Sequence, residues 1–452
     1  MTLMPYQPLS NEHSVACALA RDEPLGAVDR AMRAVDLGLR AMGYPGFETQ
    51  LILWLSDRLD ATRLQEALNR LANAEPAIVS RLHDEPHGAP CWRPSNARPA
   101  LTLANLAADT IDAVYEYAAE QLSRPADPAT CDPIRFHLIR RPQGADVFLM
   151  QYNHTLLDHR GSVGIVRKIG RLDGGAEIKP MHTCEDATRR RLHRFPVARR
   201  RAAAKQALDI WWQCIRGGAA TLGRPNGASQ SLPQFRVLCT RLDAAQTEAF
   251  RDSTVAACGL PATSMSILAS AFRALDVLAG ARNRNRGWTA GIGVDLGLRR
   301  PGDSDLHNLM SIVPLRAERR DLSEPAMLAN RLNDQLRRHL EGEADLGILQ
   351  LIATFTRQPH RLRWAVDHCL AHGFSLWYAY FGMLDVLGKT FLGAPIEDVS
   401  YIGPCWSPMG ITLLAQQYQG RLALQVTYVP ELVSDVDAAA FLQRTRDDIV
   451  RP

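Results

Sequence analysis

An apolar run, Val147-Phe148-Leu149-Met150, leads into the polar stretch Asn153-His154-Thr155-Leu156-Leu157-Asp158-His159-Arg160-Gly161-Ser162, and a helix-like segment follows to about Leu172. A strand, a short loop and a helix in that order commit this part of the chain to an α/β unit. The extended run delivers His154 to its end, and Asp158 follows four residues on. An imidazole so placed can serve as general base toward an incoming hydroxyl or amine, while a nearby carboxylate holds the loop in shape. The same H-x-x-x-D spacing recurs at His182 and Asp186, but within the polar segment Met181–Asp186 and with no strand ahead of it. That second pair reads as surface. For His154, a core imidazole satisfied by a backbone carbonyl is the ordinary alternative, and the local residues leave the two readings open.

Other chemistries fit less well. His154 and His159 are five apart, off the spacing of a helical H-E-x-x-H zinc site, so no metal site is expected. The segment Gly291-Ile292-Gly293-Val294-Asp295-Leu296-Gly297 has the wrong glycine spacing for a dinucleotide fingerprint and runs into Arg299-Arg300-Pro301 instead of opening a helix. No P-loop and no G-x-S-x-G nucleophile elbow is present. With no covalent nucleophile in view, direct transfer with an activated acceptor is the expected His chemistry.

The chain has 452 residues, enough for two domains, and 52 basic against 48 acidic residues give it a balance that demands no nucleic-acid partner. Nine cysteines are scattered without a C-x-x-C pair, which fits a reducing compartment. The start, Met1-Thr2-Leu3-Met4-Pro5, has no signal-peptide pattern, and charge breaks every long apolar stretch, so a cytoplasmic protein without a transmembrane segment is expected.

Periodicity divides the chain further. Gln50–Leu55 reads as a buried strand, and Asp60 as the N-cap of a helix carrying Leu64, Ala67, Leu68 and Leu71. Ala113–Leu122 reads as a second helix, with strands at Phe136–Ile139 and Val147–Tyr152 on either side of a Pro142-Gln143-Gly144 turn. From 173 to 233 the composition turns basic and then Gly- and Pro-rich, which suggests a crossover with a helix at about Val197–Ile215. Its arginines read as a solvated helix face, with phosphate binding as the sharper alternative. Strands and helices then resume: Phe235–Thr240, Asp243–Cys258, a long helix to Ala279, Thr289–Leu296, Ser311–Leu315, and Met327–Leu340. A hairpin joins Ile411–Gln417 to Arg421–Val429, and a helix from about Asp437 to Val450 closes the chain. The expected organisation is two similar α/β lobes, 1–172 and 234–452, joined by 173–233.

The Asn153–Ser162 stretch resembles the H-x-x-x-D-G loop of the chloramphenicol-acetyltransferase-like acyltransferases. These include condensation domains, wax ester synthase/diacylglycerol acyltransferases and polyketide-associated acyltransferases. Val294–Gly302 with Leu306–Leu309 and Val313–Arg316 is similar to the family's D-L-R-x-R, G-N and P-L-R segment. Ala74–Leu82 resembles its early H-P-x-L-R-x-R element. Phe391–Val399, Gly403–Gly410 with Ser407-Pro408, and the closing hairpin resemble its C-terminal region. The matches run in order over nearly the whole chain. Asn153 stands in place of the first His of the condensation-domain pair, His159 in place of the Gly after the Asp, and Val79 in place of the first Arg of the early element.

The resemblance implies an α/β (α+β) fold of two such lobes around a V-shaped cleft, with His154 midway along a tunnel. It implies transfer of an acyl group from a phosphopantetheine thioester, on an acyl or peptidyl carrier protein or on CoA, to a small alcohol or amine, with no bound cofactor. His154 would be the base. Asp158 would shape the loop through an ion pair, with Arg299 or Arg81 as candidate partner, and backbone N–H groups near Gly161 would hold the oxyanion. Asn153, Gly161 and Ser407 would meet substrate. With no phosphopantetheine-serine element in the sequence, a free-standing monomer in natural-product biosynthesis is expected. A lipid-directed wax ester or diacylglycerol synthase is the alternative, with the aromatic stretch Phe374–Phe381 as a possible membrane contact. A non-catalytic carrier-docking homologue is a third reading, resting on Asn153 and His159.

Overall fold

The computed structural model describes residues 22–84, 89–95, 97–176, 187–223, 232–258, 262–280, 286–296 and 306–450. His182, Asp186 and Arg299 lie outside them, as does the Gly-rich segment 224–231.

Two six-stranded sheets carry the two lobes. The first runs Thr390–Phe391, Ala394–Ile402, Glu48–Leu55, Val147–Asn153, Ile134–Arg140, Leu101–Asn105. Its central strands Glu48–Leu55 and Val147–Asn153 are buried along their whole length, because helices cover both faces. Phe148 and Met150 pack with Leu64, Leu68, Val163 and Ile169 from helices Ala61–Ala74 and His159–Asp173. Val147 and Leu149 point the other way, into a cluster with Val114 and Tyr117 of helix Ile111–Ser123. Period-two alternation with both sides apolar produces the near-continuous hydrophobic run seen in the sequence.

The second sheet runs Met310–Ala317, Trp288–Asp295, Leu376–Met383, Ile411–Tyr418, Arg421–Tyr428, Arg236–Leu242. Its closing hairpin turns at Gln419 and Gly420, both at positive φ (49° and 73°), which suits a two-residue hairpin loop. Most of the stretch Phe374–Phe381 lies in the internal strand Leu376–Met383 of this sheet, with Phe374, Leu376 and Tyr378 buried. No single described helix is long and apolar enough to cross a membrane.

The expected boundaries need one correction. Residues 234–452 do not stay in one lobe: Ala394–Ile402 leaves the second sheet's region and pairs antiparallel with Glu48–Leu55 of the first. Its buried residues Val399 and Tyr401 fill the first lobe's core. Alternation announces such a strand but not the sheet it joins. The crossover helix Val197–Arg216 is present, with Arg199, Arg201 and Arg216 exposed as expected of a solvated face. Arg199 also pairs with Glu343, and Arg191 of the preceding helix Ala187–His193 bonds Asp345 at 2.6 Å, which ties the crossover to helix Ala344–Phe355. Three helices that periodicity does not single out, Ala27–Ala41, Ala344–Phe355 and Pro359–His372, complete the second lobe and its junction with the first.

Candidate active site

His154 stands one residue beyond the buried strand Val147–Asn153, where its backbone N–H donates to Phe47 O at 2.8 Å. The ring is half-buried and stacks on Phe47, with centroids 4.7 Å apart and planes 9° from parallel. Its Nδ1 lies 3.0 Å from Asn308 Oδ1. Asn308 comes from the other lobe, just ahead of the edge strand Met310–Ala317.

The orientation of that amide is fixed by its other end. Asn308 Nδ2 donates to Asp29 Oδ1 at 2.9 Å and to His154 O at 2.8 Å, and both acceptors are unambiguous. The Asn308 oxygen therefore faces the imidazole, so Nδ1 must carry the proton. Nε2 is left with its lone pair, the form a general base needs. Burial pushes the His154 pKa below its ordinary 6.5, against the weaker raising effects of its own backbone, Asp158, Asn308 and Asp29. The ring is neutral at neutral pH.

Behind Asn308 stands a buried charge cluster. Asp29, in the first turn of helix Ala27–Ala41, accepts from the Asn308 backbone N–H at 2.8 Å. His307 lies with Nδ1 3.2 Å from Asp29 Oδ2 and Nε2 3.1 Å from Glu23 Oε1. Burial alone would lower its pKa, but the hydrogen bonds and charges of Asp29 and Glu23 raise it to about 10. His307 is thus an imidazolium between two carboxylates, and the pair of histidines is split into one neutral and one charged member.

Asp158 is the N-cap of helix His159–Asp173. Its Oδ1 accepts from Gly161 N–H and its Oδ2 from Leu309 N–H, each at 2.9 Å, so one carboxylate caps a helix in one lobe and pins a loop of the other. Three expected roles are corrected by these contacts. Arg81 is not the partner of Asp158: its guanidinium pairs with Asp132, which lies beside it. Gly161 has no N–H to spare for an oxyanion, because the cap consumes it. Asn153 is turned inward, away from the role of a substrate contact. Its buried side chain donates to Asp36 at 3.2 Å and Glu48 at 2.9 Å and accepts from Thr155 N–H at 2.9 Å, so it braces the loop from within. Ser407 takes a place next to Trp406, where its N–H donates to the Tyr44 hydroxyl at 2.7 Å. His159 stacks on Phe381 at 4.3 Å and meets Tyr401 edge-on at 4.9 Å, as a packing ring.

Against the His154 ring face, the site is aromatic. Phe47 meets Trp377 edge-on at 6.4 Å, and Trp377 in turn touches Trp406 and Phe374, each at 5.5 Å. Asn308, Asp29, His307 and Phe47 are the residues that sequence reasoning missed. Asn308 sat inside a quoted motif, but nothing in a linear pattern says that it meets His154.

No family model matches the sequence, and no curated protein matches it. Solved structures do. The trichothecene 15-O-acetyltransferase of Fusarium sporotrichioides superposes with a TM-score of 0.72 at 13% identity, over 97% of this chain and 99% of that one. The first condensation domain of the calcium-dependent antibiotic synthetase, in complex with a substrate analogue, gives 0.71 at 13% identity, over 96% of each chain. The starter condensation domain of rhizomide synthetase, as a variant with C8-CoA and Leu-SNAC, gives 0.66 at 13%, over 97% and 96%. The chain therefore has the two-lobed fold of these acetyltransferase and condensation-domain structures.

Proposed function

We propose that this protein transfers an acyl group from a phosphopantetheine thioester, on a carrier protein or CoA, to a hydroxyl or amine, with His154 as general base. The observation that carries the reading is the fixed tautomer: Asn308 Oδ1 holds the Nδ1 proton and leaves Nε2 free at the junction of the two lobes. Nε2 takes the acceptor's proton as its oxygen or nitrogen attacks the thioester carbonyl. A tetrahedral oxyanion forms, then collapses with cleavage of the C–S bond. The proton on Nε2 passes to the departing thiolate, so an ester or amide and a free thiol leave and the base is regenerated. The solved neighbours support this chemistry by their names: one is an O-acetyltransferase, and another was captured with a CoA compound and an SNAC compound.

The non-catalytic reading loses its support, because Asn153 faces inward and His159 packs against aromatic rings. The lipid-directed reading loses the membrane contact assigned to Phe374–Phe381, which is sheet interior. The test is a panel of acyl-CoA and acyl-N-acetylcysteamine thioesters with alcohol and amine acceptors, read by thiol release and product mass. Acceptor-dependent thiol release by the wild type and none by His154→Ala supports the proposal. Equal release by the two proteins overturns it.

A further inference from the structure

An apolar chamber of about 520 Å³ opens between helices Ala27–Ala41, Val197–Arg216, Ala344–Phe355 and Pro359–His372 and the edge of the second sheet. Met32, Trp211, Ile352, Phe355, Trp377 and Trp406 are among its walls. Two rings link its wall to the base: Trp377, which lines it, meets Phe47 edge-on, and Phe47 stacks on His154. The chamber's size falls within the roughly 300–1,000 Å³ of small-molecule sites. Trp211, Ile352, Phe355 and Trp377 are only half-buried because they face it.

The chemistry of the walls narrows the occupant. Asp209, exposed at the mouth, and His368 are the side chains that bring charge or strong polarity; most of the rest are aliphatic or aromatic. A pantetheine arm carries two amides, and these walls would strip their water while offering few hydrogen bonds in return. An alkyl chain or ring system has no such cost and gains from the burial. We infer that the chamber holds an uncharged apolar group of one substrate, with that substrate's reactive end reaching past Trp377 and Phe47 to His154; this assignment rests on the acyl-transfer reading. The group belongs either to the acyl chain of the donor or to the body of the acceptor, and one experiment separates them.

Trp211, Trp212, Trp364, Trp377 and Trp406 line the chamber, so intrinsic fluorescence reports occupancy without turnover. One arm uses N-acetylcysteamine thioesters from acetyl to decanoyl, the other primary alcohols from ethanol to decanol. Affinity should rise by roughly fourfold per added methylene until the chamber is full. The kcat/KM values should climb with chain length in the arm whose substrate the chamber serves, and stay flat in the other. Ile352→Trp, which fills the space, should lower affinity for decyl probes by roughly tenfold or more. Leu351→Ala, which enlarges it, should extend the longest chain accepted and covers the case in which the first variant folds poorly. Chain-length-dependent binding without any transfer upholds the chamber and sinks the acyl-transfer reading. Transfer with binding indifferent to chain length and to both substitutions overturns the chamber and leaves the reading intact.

Discussion

The two sides of His154 differ in kind. On one, hydrogen bonds join Asn308, Asp29 and His307, and Glu23 closes the cluster as an ion-pair partner of His307. On the other, Phe47, Trp377 and Trp406 offer area and shape without direction. Hydrogen bonds have a preferred angle and aromatic contacts tolerate many, so only the first side can specify which imidazole nitrogen carries the proton. The second can discriminate among substrates by volume. In this molecule, the position of the proton is set by polar groups from both lobes, and on the proposed function access to it would be set by apolar ones.

The comparison is tested most severely at its centre. On the proposed mechanism, His154→Ala should lower kcat/KM by about 10²–10⁴-fold. Its thermal midpoint should move little beside that, because the half-buried ring is not a core anchor. Unchanged turnover would remove the reason for the polar side to exist.

Next in size is the charge pair behind Asn308. The folded-state pKa of His307, about 10, stands above its ordinary 6.5. Its stabilising contribution is therefore complete below about pH 6.5 and fades as pH rises through about 10. The wild-type thermal midpoint should fall between pH 7 and 10. Removing one member of a buried pair costs about 3–5 kcal/mol, so His307→Gln should be less stable by that order at pH 6 and should lose this component of the slope. Parallel curves for the two proteins would show that the cluster carries no linked proton.

Asn308→Ala should act on rate more than on binding. Without Oδ1 the Nδ1 proton has no assigned acceptor, and kcat should drop roughly 10- to 100-fold, the worth of one hydrogen bond to a developing charge. The thioester KM should hold. Because that bond raises the His154 pKa, the acid limb of the pH–rate profile should move to lower pH in the variant. A rise in KM with kcat intact would recast Asn308 as a substrate contact. Asp158→Asn comes next. It keeps one acceptor for two backbone donors, so either Gly161 or Leu309 loses its bond, at about 1–3 kcal/mol in unfolding experiments.

How much of this was legible follows from the same division. His154 and Asp158 were readable because a buried strand and a capped helix bracket them, and those patterns are local. Asp60 was readable as a cap for the same reason: its side chain accepts from Thr62 N–H two residues on. The His154–Asn308 contact spans the two lobes, and no periodicity links residues so far apart. His307 and Asp29 are single residues whose meaning exists only once they face each other. Of the backbone N–H groups near Gly161, Gly161's own is used by the cap that makes the loop rigid, and a linear motif does not show which N–H a cap consumes. Arg81 failed for a related reason. Any arginine in a matching motif is a candidate for a distant carboxylate, and Asp132 beside it satisfies the charge first.

Phe47 is where the two sides meet, and its substitution should have the smallest effect. Its backbone belongs to the polar side: the N–H donates to Asp36 at 2.8 Å and the carbonyl accepts from His154 at 2.8 Å. Both bonds survive a change of side chain, so Phe47→Leu removes the ring and leaves the loop held. Stacked pairs are worth about 0.5–1.5 kcal/mol beyond burial, which corresponds to a loss of at most roughly tenfold in kcat if the stack helps to orient the imidazole. The acid limb should stay where it is, because the Nδ1 partner is untouched. Selectivity should change instead, since Phe47 stands between the base and the apolar chamber, and the spread of kcat/KM across substrates of different bulk should narrow. A kcat loss equal to that of Asn308→Ala would mean that stacking orients the base as strongly as the hydrogen bond does. The division between a polar side that places the proton and an aromatic side that sorts substrates would then fail.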